Sequence, residues 1–325
     1  MKKYVLGAAL AAITLASTWA GGAQAQTLRV GHILAENHPN HVALTEMAEE
    51  LRAKSDGRLG LDVFANGILG THLDLIGQVS SGAVDMAMIP GISPFQGLDP
   101  RLGVEEIPFL FASREEAYAA IDGPFGEEVT KILANHGLHA LSYWENGFRN
   151  FTNNVRPIET MEDLAGIRFR SDTSKMRLAM FAEFGVPAVS MAFAELFTGL
   201  QQGVVDGQEN PLSIIESANF YEVQKYLSLS GHLWGAAVLI INPGVYEKLS
   251  DDDKALLTEA AATFRARNRE LIEQGDQDLV AKLREQGMEV NEVDKSTFAE
   301  AAGRVRDMYV EANGSELLDL IEAGK

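Results

Sequence analysis

The sequence predicts an α/β protein folded as two lobes, and three observations support this prediction. Short apolar strands alternate with helical stretches from residue 28 onwards, the pattern of a doubly wound, largely parallel sheet. A helix–turn–strand unit at residues 78–86 is echoed at residues 200–207. The length of 325 residues suits two lobes better than one core. The echo indicates either two lobes of related topology or local chemistry common to many α/β proteins.

The first elements alternate strand and helix. Residues 28–32 (LRVGH) form a predicted strand, and residues 41–54 carry apolar side chains at near-helical spacing. A strand at 61–64, a short helix at 73–79 and a strand at 84–89 follow. This order predicts parallel strands joined by crossover helices.

The lobe boundaries follow from two later strands. A strand at residues 140–144 precedes the crossing into the second lobe, and the apolar strand after Trp234 returns to the first. The first lobe is therefore predicted to contain residues 26–147 plus 236–276. The second lobe is predicted to contain residues 148–235 plus 277–325.

The C-terminal part of the chain is predicted to be helical. Ser250 is a candidate N-cap, because three aspartates follow it in the first turn of a long helical stretch. That helix runs to about residue 286, and Gly287 is its candidate C-cap. Helices at residues 298–313 and 316–321 are predicted to complete the second lobe.

The N-terminus has the pattern of a secretory signal peptide. Lys2 and Lys3 precede an apolar stretch at residues 5–16, and an A-x-A cleavage site occupies residues 23–25. The apolar stretch is too short for a membrane anchor. Residues 1–25 are therefore predicted to be a cleaved signal peptide of a protein exported to the periplasm.

Composition excludes several classes of function. The chain contains no cysteine, which excludes disulfides, thiolate metal sites and cysteine nucleophiles. Its formal charge of −19 argues against nucleic acid and anionic membranes as partners. An anionic ligand stays possible, because salt screens surface charges beyond about 8 Å and a local arginine can dominate a cleft.

A short strand ending in an arginine is the strongest candidate for a ligand site. In residues 167–170 the two-residue period places Ile167 and Phe169 on one face and Arg168 and Arg170 on the other. Open α/β sheets bind ligands at the carboxyl ends of their strands, where Arg170 lies. Its planar fork matches a carboxylate with two hydrogen bonds. Arg168, one step back, is expected to be solvated.

Two segments resemble the substrate-binding proteins of tripartite ATP-independent periplasmic (TRAP) transporters. One is QQGVVDGQENP at residues 201–211, and the other is WENGFRNFTN at residues 144–153. The resemblance extends over nearly the whole mature chain. It implies a two-lobed periplasmic binding protein fold with a hinge and a long helix that bridges both lobes.

The resemblance also implies roles for individual residues. It implies that Arg170 binds the ligand carboxylate with both terminal nitrogens and that Arg149 and Asn210 add polar contacts. Glu209, beside Asn210, could accept from a ligand hydroxyl, orient an arginine or form a buried structural ion pair. The implied partners are a small organic acid and the membrane subunits of a TRAP transporter, with the binding protein acting as a monomer.

Five further residues are candidates for the cleft because they lie in loops after strands or at the lobe crossing. These residues are Asn37, His38, His72, Ser93 and Trp234. Each could instead be an ordinary loop or core residue. The histidines near residue 38 do not form an H-E-x-x-H motif, so neither a metal nor a cofactor is predicted.

The predicted function is capture of a small organic carboxylate, of the sugar-acid, uronate or C4-dicarboxylate type. Two alternatives stay open: an exported enzyme acting on an organic acid, and a sensory binding protein that presents its ligand to a receptor. An enzyme would need a base, a nucleophile or a metal in the cleft, and the sequence offers only scattered histidines.

Overall fold

A computed structural model of the protein describes residues 25–324. The predicted signal peptide therefore lies outside the described residues, apart from Ala25. Nine strands form one sheet: β1 (Gln26–Gly31), β2 (Leu59–Phe64), β3 (Met86–Pro90), β4 (His139–Asn153), β5 (Phe169–Ser171), β6 (Ala188–Ser190), β7 (Gly207–Pro211), β8 (Tyr226–Ile241) and β9 (Glu289–Glu292).

Eleven α-helices belong to the described part of the chain. They are α1 (Pro39–Lys54), α2 (His72–Ser81), α3 (Arg114–Ile121), α4 (Pro124–Asn135), α5 (Lys175–Glu183), α6 (Phe193–Gln201), α7 (Leu212–Ser217), α8 (Pro243–Lys248), α9 (Asp251–Glu285), α10 (Ala299–Asn313) and α11 (Glu316–Gly324). Short 3₁₀ helices occur at Ser93–Gly97, Pro100–Glu106, Met161–Leu164, Phe220–Glu222 and Lys295–Phe298. Across residues 25–324, no helix combines the length and apolarity needed to cross a membrane.

The sheet is parallel within each lobe and antiparallel at its centre. The strand order is β2-β1-β3-β8-β4-β7-β5-β6, with β9 beside β8. Strand β1 pairs in parallel with β2 and β3, and β5 pairs in parallel with β6 and β7. Strands β4 and β8 pair antiparallel with each other and with their other central neighbours, β7 and β3. The prediction of a largely parallel sheet therefore applies to the lobes but not to the strands that join them.

Helices cover both faces of the first lobe. Leu44 of α1 and Phe264 of α9 belong to the buried cluster on one face of β1–β3. Val79 of α2 and Val129 of α4 belong to the cluster on the other face. Coverage of both faces explains why β3 is apolar along its length, as buried parallel strands are.

Local chemistry determines where three helices begin. Helix α1 has a proline in its first position, where the missing N–H costs nothing. Helix α2 begins with a reciprocal capping box between Thr71 and Asp74. In α9 the Ser250 hydroxyl accepts from the backbone N–H of Asp253, as predicted, and the acids of the first turn complement the helix dipole.

The helix–turn–strand unit that is repeated in the sequence is also repeated in the structure. Strands β2-β1-β3 of the first lobe have the same order and parallel pairing as β6-β5-β7 of the second. Gly82 and Gly203, which end the preceding helices, have positive φ angles of 77° and 67°. Strands β3 (MAMIP) and β7 (GQENP) then follow at equivalent positions, and each ends in a proline. The two lobes therefore have related topology.

One arginine–aspartate pair recurs in each copy. Asp85 accepts from the backbone N–H of Arg29 at 2.8 Å, and Asp206 accepts from that of Arg168 at 3.0 Å. Each arginine side chain also contacts its aspartate. Both pairs are partly exposed, and each aspartate directly precedes a strand, β3 or β7. They stabilise the turns before these strands, and Arg168 is half-exposed, as the sequence led us to expect.

The two lobes are joined by the long strands β4 and β8. The predicted boundaries at residues 147/148 and 235/236 lie inside these strands, next to a register shift between Glu145 and Gly147. Gly147 has a φ of 118°, and a Cβ there would lie 3.2 Å from Pro211 Cβ. This position therefore favours glycine and marks an irregular point in the connection.

Helix α9, 35 residues long, contacts both lobes. Phe264 packs in the first lobe, and Leu283 packs in a cluster with α6 and α7 of the second. Midway, Asn268 Oδ1 accepts from the Glu145 backbone N–H at 2.8 Å, and its Nδ2 donates to Asn40 Oδ1 at 2.7 Å. The bridging helix implied by the resemblance is therefore present and is fastened beside the lobe junction.

The last helix differs from the sequence prediction. Leu317, Leu318 and Ile321 of α11 pack in the first-lobe core against α3 and α4. The predicted placement of residues 316–321 in the second lobe is therefore corrected. Helix α10 does pack on the second lobe, through Ala301 and Val305. The apolar stripe of α11 did not indicate which lobe it would cover.

Candidate functional site

A cleft of about 720 Å³ opens between the lobes. It lies beyond the carboxyl ends of β1 and β5, where open α/β sheets bind ligands. Its volume is in the usual range for small-molecule sites. The first lobe contributes residues 33–35 and several residues between 66 and 74, and the second contributes residues from 170–173, 191–197 and 214–220.

A small polar recess of about 30 Å³ adjoins this cleft. Its lining contains seven polar residues, which are His72, Asn146, Arg149, Arg170, Asp172, Arg177 and Asn210. The outer cleft is wide and carries phenylalanine side chains from α6 and from residue 220. A ligand could therefore place one small polar group in the recess while its body occupies the outer cleft.

Arg170 lies where the recess meets the outer cleft. Phe169, its neighbour in β5, points into the core of the second lobe, so the alternation of the strand turns Arg170 toward the cleft. Its Nε donates to the Met191 carbonyl at 2.9 Å. Among the described residues, no acidic oxygen lies within 4.0 Å of its guanidinium. Burial lowers the pKa of Arg170 to about 10.

The other two arginines share an acidic partner. Nη2 of Arg149 and Nη1 of Arg177 each donate to Glu209 Oε1 at 2.9 Å. Arg177 also donates to Glu106 Oε1 at 2.7 Å, and His232 Nε2 lies 3.4 Å from Glu209 Oε2. Burial alone would raise the pKa of Glu209, but the two arginines hold it well below its usual range. Arg149 and Arg177 are therefore largely neutralised by protein, whereas Arg170 is not.

Glu209 and Asn210 have distinct places in this network. Asn210 lines the recess and accepts from Arg149 Nη2 at 2.9 Å. Glu209 is 1% exposed and its carboxylate is occupied by arginines. Of the roles weighed from sequence, the structure favours arginine orientation for Glu209 over contact with a ligand hydroxyl.

His72 is the predicted residue that the first lobe brings to the cleft. It is half-buried at the start of α2 and lines both the outer cleft and the recess. Burial lowers the pKa of His72, Arg170 lowers it further, and Asp172 opposes the shift. A neutral imidazole facing an arginine and an aspartate can donate or accept one hydrogen bond.

The loop before α1 does not bring its predicted residues to the cleft. His38 is fully buried, and its Nδ1 accepts from the Asn40 backbone N–H at 3.1 Å as the N-cap of α1. Asn37 is exposed in a turn and is not part of the cleft wall. Because the helix begins directly after His38, that side chain turns inward rather than over the cleft.

Ser93 and Trp234 also lie away from the outer cleft. Ser93 is buried, and its backbone N–H donates to Glu105 at 3.0 Å. Trp234 Nε1 donates to Glu145 at 3.3 Å, and its ring packs edge-on against Phe111 in the first-lobe core. These contacts favour the interpretation of Trp234 as a core residue rather than a ligand residue.

Sequence reasoning missed three polar residues of the site. Arg177 lies in the first turn of α5, Asp172 is two residues beyond Arg170, and Asn146 lies at the register shift of β4. Asn146 Oδ1 is buried without a hydrogen-bond partner among the described residues. The two-residue period could have indicated Asp172, because it shares a strand face with Arg170. Within residues 25–324, no group of three His, Asp or Glu side chains is arranged to hold a metal ion.

Two lobes around a cleft, with an unpaired arginine in its wall, define a class of proteins that bind small solutes by closing around them. Residues 30–313 match the family described as DctP, bacterial extracellular solute-binding protein, family 7. The chain belongs to this family, whose members are substrate-binding proteins of transporters.

Three similar proteins illustrate the family. The 2,3-diketo-L-gulonate-binding periplasmic protein YiaO of Escherichia coli is 34% identical over 302 residues, covering 92% of each chain. A TRAP solute-binding protein from a Polaromonas species, solved with D-erythronate, has a TM-score of 0.88 at 33% identity, covering 92% of this chain and 98% of its own. The sugar acid binding protein of Advenella mimigardefordensis, solved with galactonate, has a TM-score of 0.87 at 34% identity, covering 93% and 99%.

Proposed function

We propose that this protein is a periplasmic receptor that captures a small organic carboxylate of the sugar-acid type and delivers it to the membrane subunits of a TRAP transporter. One observation carries the proposal: Arg170 is buried in the wall of the cleft without an acidic partner among the described residues. A buried guanidinium without a direct ion pair is costly, and an anionic ligand can supply that direct partner.

The similar proteins support the ligand class. Those named above bind 2,3-diketo-L-gulonate, D-erythronate and galactonate, each a hydroxylated or keto carboxylate. The signal peptide predicted for residues 1–25 directs the chain to the periplasm, where it acts as a monomer. No bond of the ligand is broken, so the protein is a receptor rather than an enzyme.

Ligand binding favours the closed form because both lobes contribute contacts. His72 approaches from the first lobe, and Arg170 with Asn210 approaches from the second. A ligand that touches both sets gains more binding free energy when the cleft closes, and this difference shifts the population. Bending would occur in β4 and β8 near Gly147, where the strands connect the lobes.

A binding and recovery experiment tests the proposal. Purified mature protein is titrated with D-galactonate in a calorimeter and screened by thermal shift against other organic acids. A ligand at 100 times its Kd should stabilise the fold by about 2.7 kcal/mol. Mass spectrometry of the released ligand should return it unchanged. Failure of every organic acid to bind, or recovery of a converted product, would contradict the proposal.

A further inference from the structure

Asp172 lies in the cleft wall, and only one of its two carboxylate oxygens accepts a hydrogen bond from the described part of the protein. It lies two residues after Arg170 and lines both the outer cleft and the recess. Its Oδ1 accepts from the Ser174 backbone N–H at 2.9 Å. Its Oδ2 lies 3.7 Å from Arg177 Nη1, beyond hydrogen-bond distance. One carboxylate oxygen therefore remains available beside the arginine that is proposed to hold the ligand.

The charges around the recess nearly cancel without a ligand. Arg149 and Arg177 are matched by Glu209 and by Glu106, which contacts Arg177 alone. Asp172 makes only a long contact of 3.7 Å with Arg177 Nη1, and Arg170, of opposite charge to Asp172, has no ion pair within 4.0 Å among residues 25–324. Burial raises the pKa of the Asp172 carboxyl, but Arg177 and Arg170 outweigh this and lower it, so the group is ionised at neutral pH.

The near-zero net charge around the recess should favour ligands with one carboxylate over ligands with two. A monocarboxylate bound to Arg170 adds one negative charge, and a hydroxyl on its carbon chain can donate to Asp172. A dicarboxylate adds a second negative charge to the same cleft, and a dicarboxylate such as succinate has no hydroxyl to donate. Like charges at close range disfavour a complex strongly, whereas a hydrogen bond to a charged acceptor favours it.

We propose that Asp172 is a specificity-determining residue, and that the protein selects hydroxylated monocarboxylates over dicarboxylates because Asp172 accepts from a ligand hydroxyl. The inference rests on the proposed function, since it requires a ligand carboxylate at Arg170. It narrows that function by excluding C4-dicarboxylates as the preferred ligands.

The experiment compares D-galactonate with succinate by calorimetric titration of the parent, Asp172→Asn and a matched control. Asparagine retains an Oδ1 acceptor for the turn to Ser174 but removes the charge. Asp294→Asn is the control, because Asp294 Oδ1 accepts from the Ser296 N–H at 3.0 Å in the same local turn, at an exposed site outside the cleft. Circular dichroism checks that each variant is folded.

The parent should bind galactonate more tightly than succinate. In Asp172→Asn the galactonate affinity should fall by about ten- to a hundredfold, while succinate should bind equally well or more tightly. The ratio of the two affinities does not depend on the fraction of active protein. Asp294→Asn should leave both affinities within twofold.

Two results would overturn the inference while the proposed function stands. One is a parent that prefers succinate, with binding that depends on Arg170. The other is an equal loss of both ligands in Asp172→Asn. A parent that binds no organic acid would instead refute the proposed function, and the inference with it.

Discussion

Truncation of Arg170 should abolish most of the ligand affinity. The Nε bond to Met191 leaves the two terminal nitrogens of the fork to face the cleft. Removing one partner of a desolvated charge pair costs about 2–5 kcal/mol, because the other charge stays buried and unpaired. At about 1.4 kcal/mol per tenfold, Arg170→Ala should weaken galactonate binding by tens- to thousands-fold. Arg170→Lys should restore only part, because an ammonium lacks the planar fork.

The same substitution should not destabilise the free protein. Burial lowers the pKa of Arg170 from 12.5 to about 10, so holding it charged at neutral pH costs about 3 kcal/mol, at 1.36 kcal/mol per pKa unit. Truncation to alanine removes only the Cγ and Cδ methylenes, which contribute roughly 1.6 kcal/mol of apolar burial at about 0.8 kcal/mol each. The relief of the buried charge offsets this loss, so Arg170→Ala should unfold at about the same urea concentration as the parent or higher.

Arg168→Ala is the matched control for this prediction. It removes the same side chain two residues earlier in the chain, where the arginine is half-exposed and paired with Asp206. Calorimetry should show near-parent affinity for Arg168→Ala. A folded Arg170→Ala protein that binds galactonate like the parent would refute the assignment of the ligand anchor. A large loss of stability would refute the charge argument.

Three further predictions concern stability and shape. Glu209→Gln should lower the free energy of unfolding by about 3–5 kcal/mol, because it leaves two buried arginines poorly paired. The control Asp206→Asn, at an exposed pair, should lower it by less than about 1 kcal/mol in urea denaturation. Equal losses in the two variants would contradict the argument. Burial lowers the pKa of His38 from 6.5 to about 3, so below pH 6.5 the unfolded chain binds a proton that the folded chain does not. Between pH 7 and pH 5 the parent should therefore lose about 2 kcal/mol of stability relative to His38→Asn, a variant that keeps an N-cap acceptor. If the stabilities of the two proteins change with pH in parallel, His38 does not titrate in this way. Small-angle scattering should give a smaller radius of gyration with saturating galactonate, and an unchanged radius would count against closure of the cleft.

The main elements were predictable because their signals are local. The period of two in residues 167–170 placed Arg170 in a strand, which the structure has at Phe169–Ser171, and the cap at Ser250 located the start of α9. Of the two interpretations left open for the echoed helix–turn–strand unit, the sheet favours related topology of the two lobes. Each of these signals depends on a few neighbouring residues and not on how the lobes pack.

What could not be predicted depends on contacts between distant residues. The sequence did not indicate that Arg177 and Arg149 would share Glu209, because the three residues come from different elements. Loop residues such as His38 were expected over the cleft, but a helix beginning at Pro39 turned that side chain into the core. The length of β4 and β8 was also missed, since polar residues near Asn146 in β4 and near Ser230 in β8 interrupt their apolar patterns.

The two copies of the repeated unit have diverged in one strand. In β3 the residues before Pro90 are Ala87, Met88 and Ile89, whereas in β7 the residues before Pro211 are Gln208, Glu209 and Asn210. Both sets are buried, so one copy is plain scaffold, while its counterpart holds the arginines and places Asn210 in the wall of the recess. An engineer who seeks a new ligand preference therefore has a polar strand to vary whose apolar counterpart shows that the same topology folds without those polar groups.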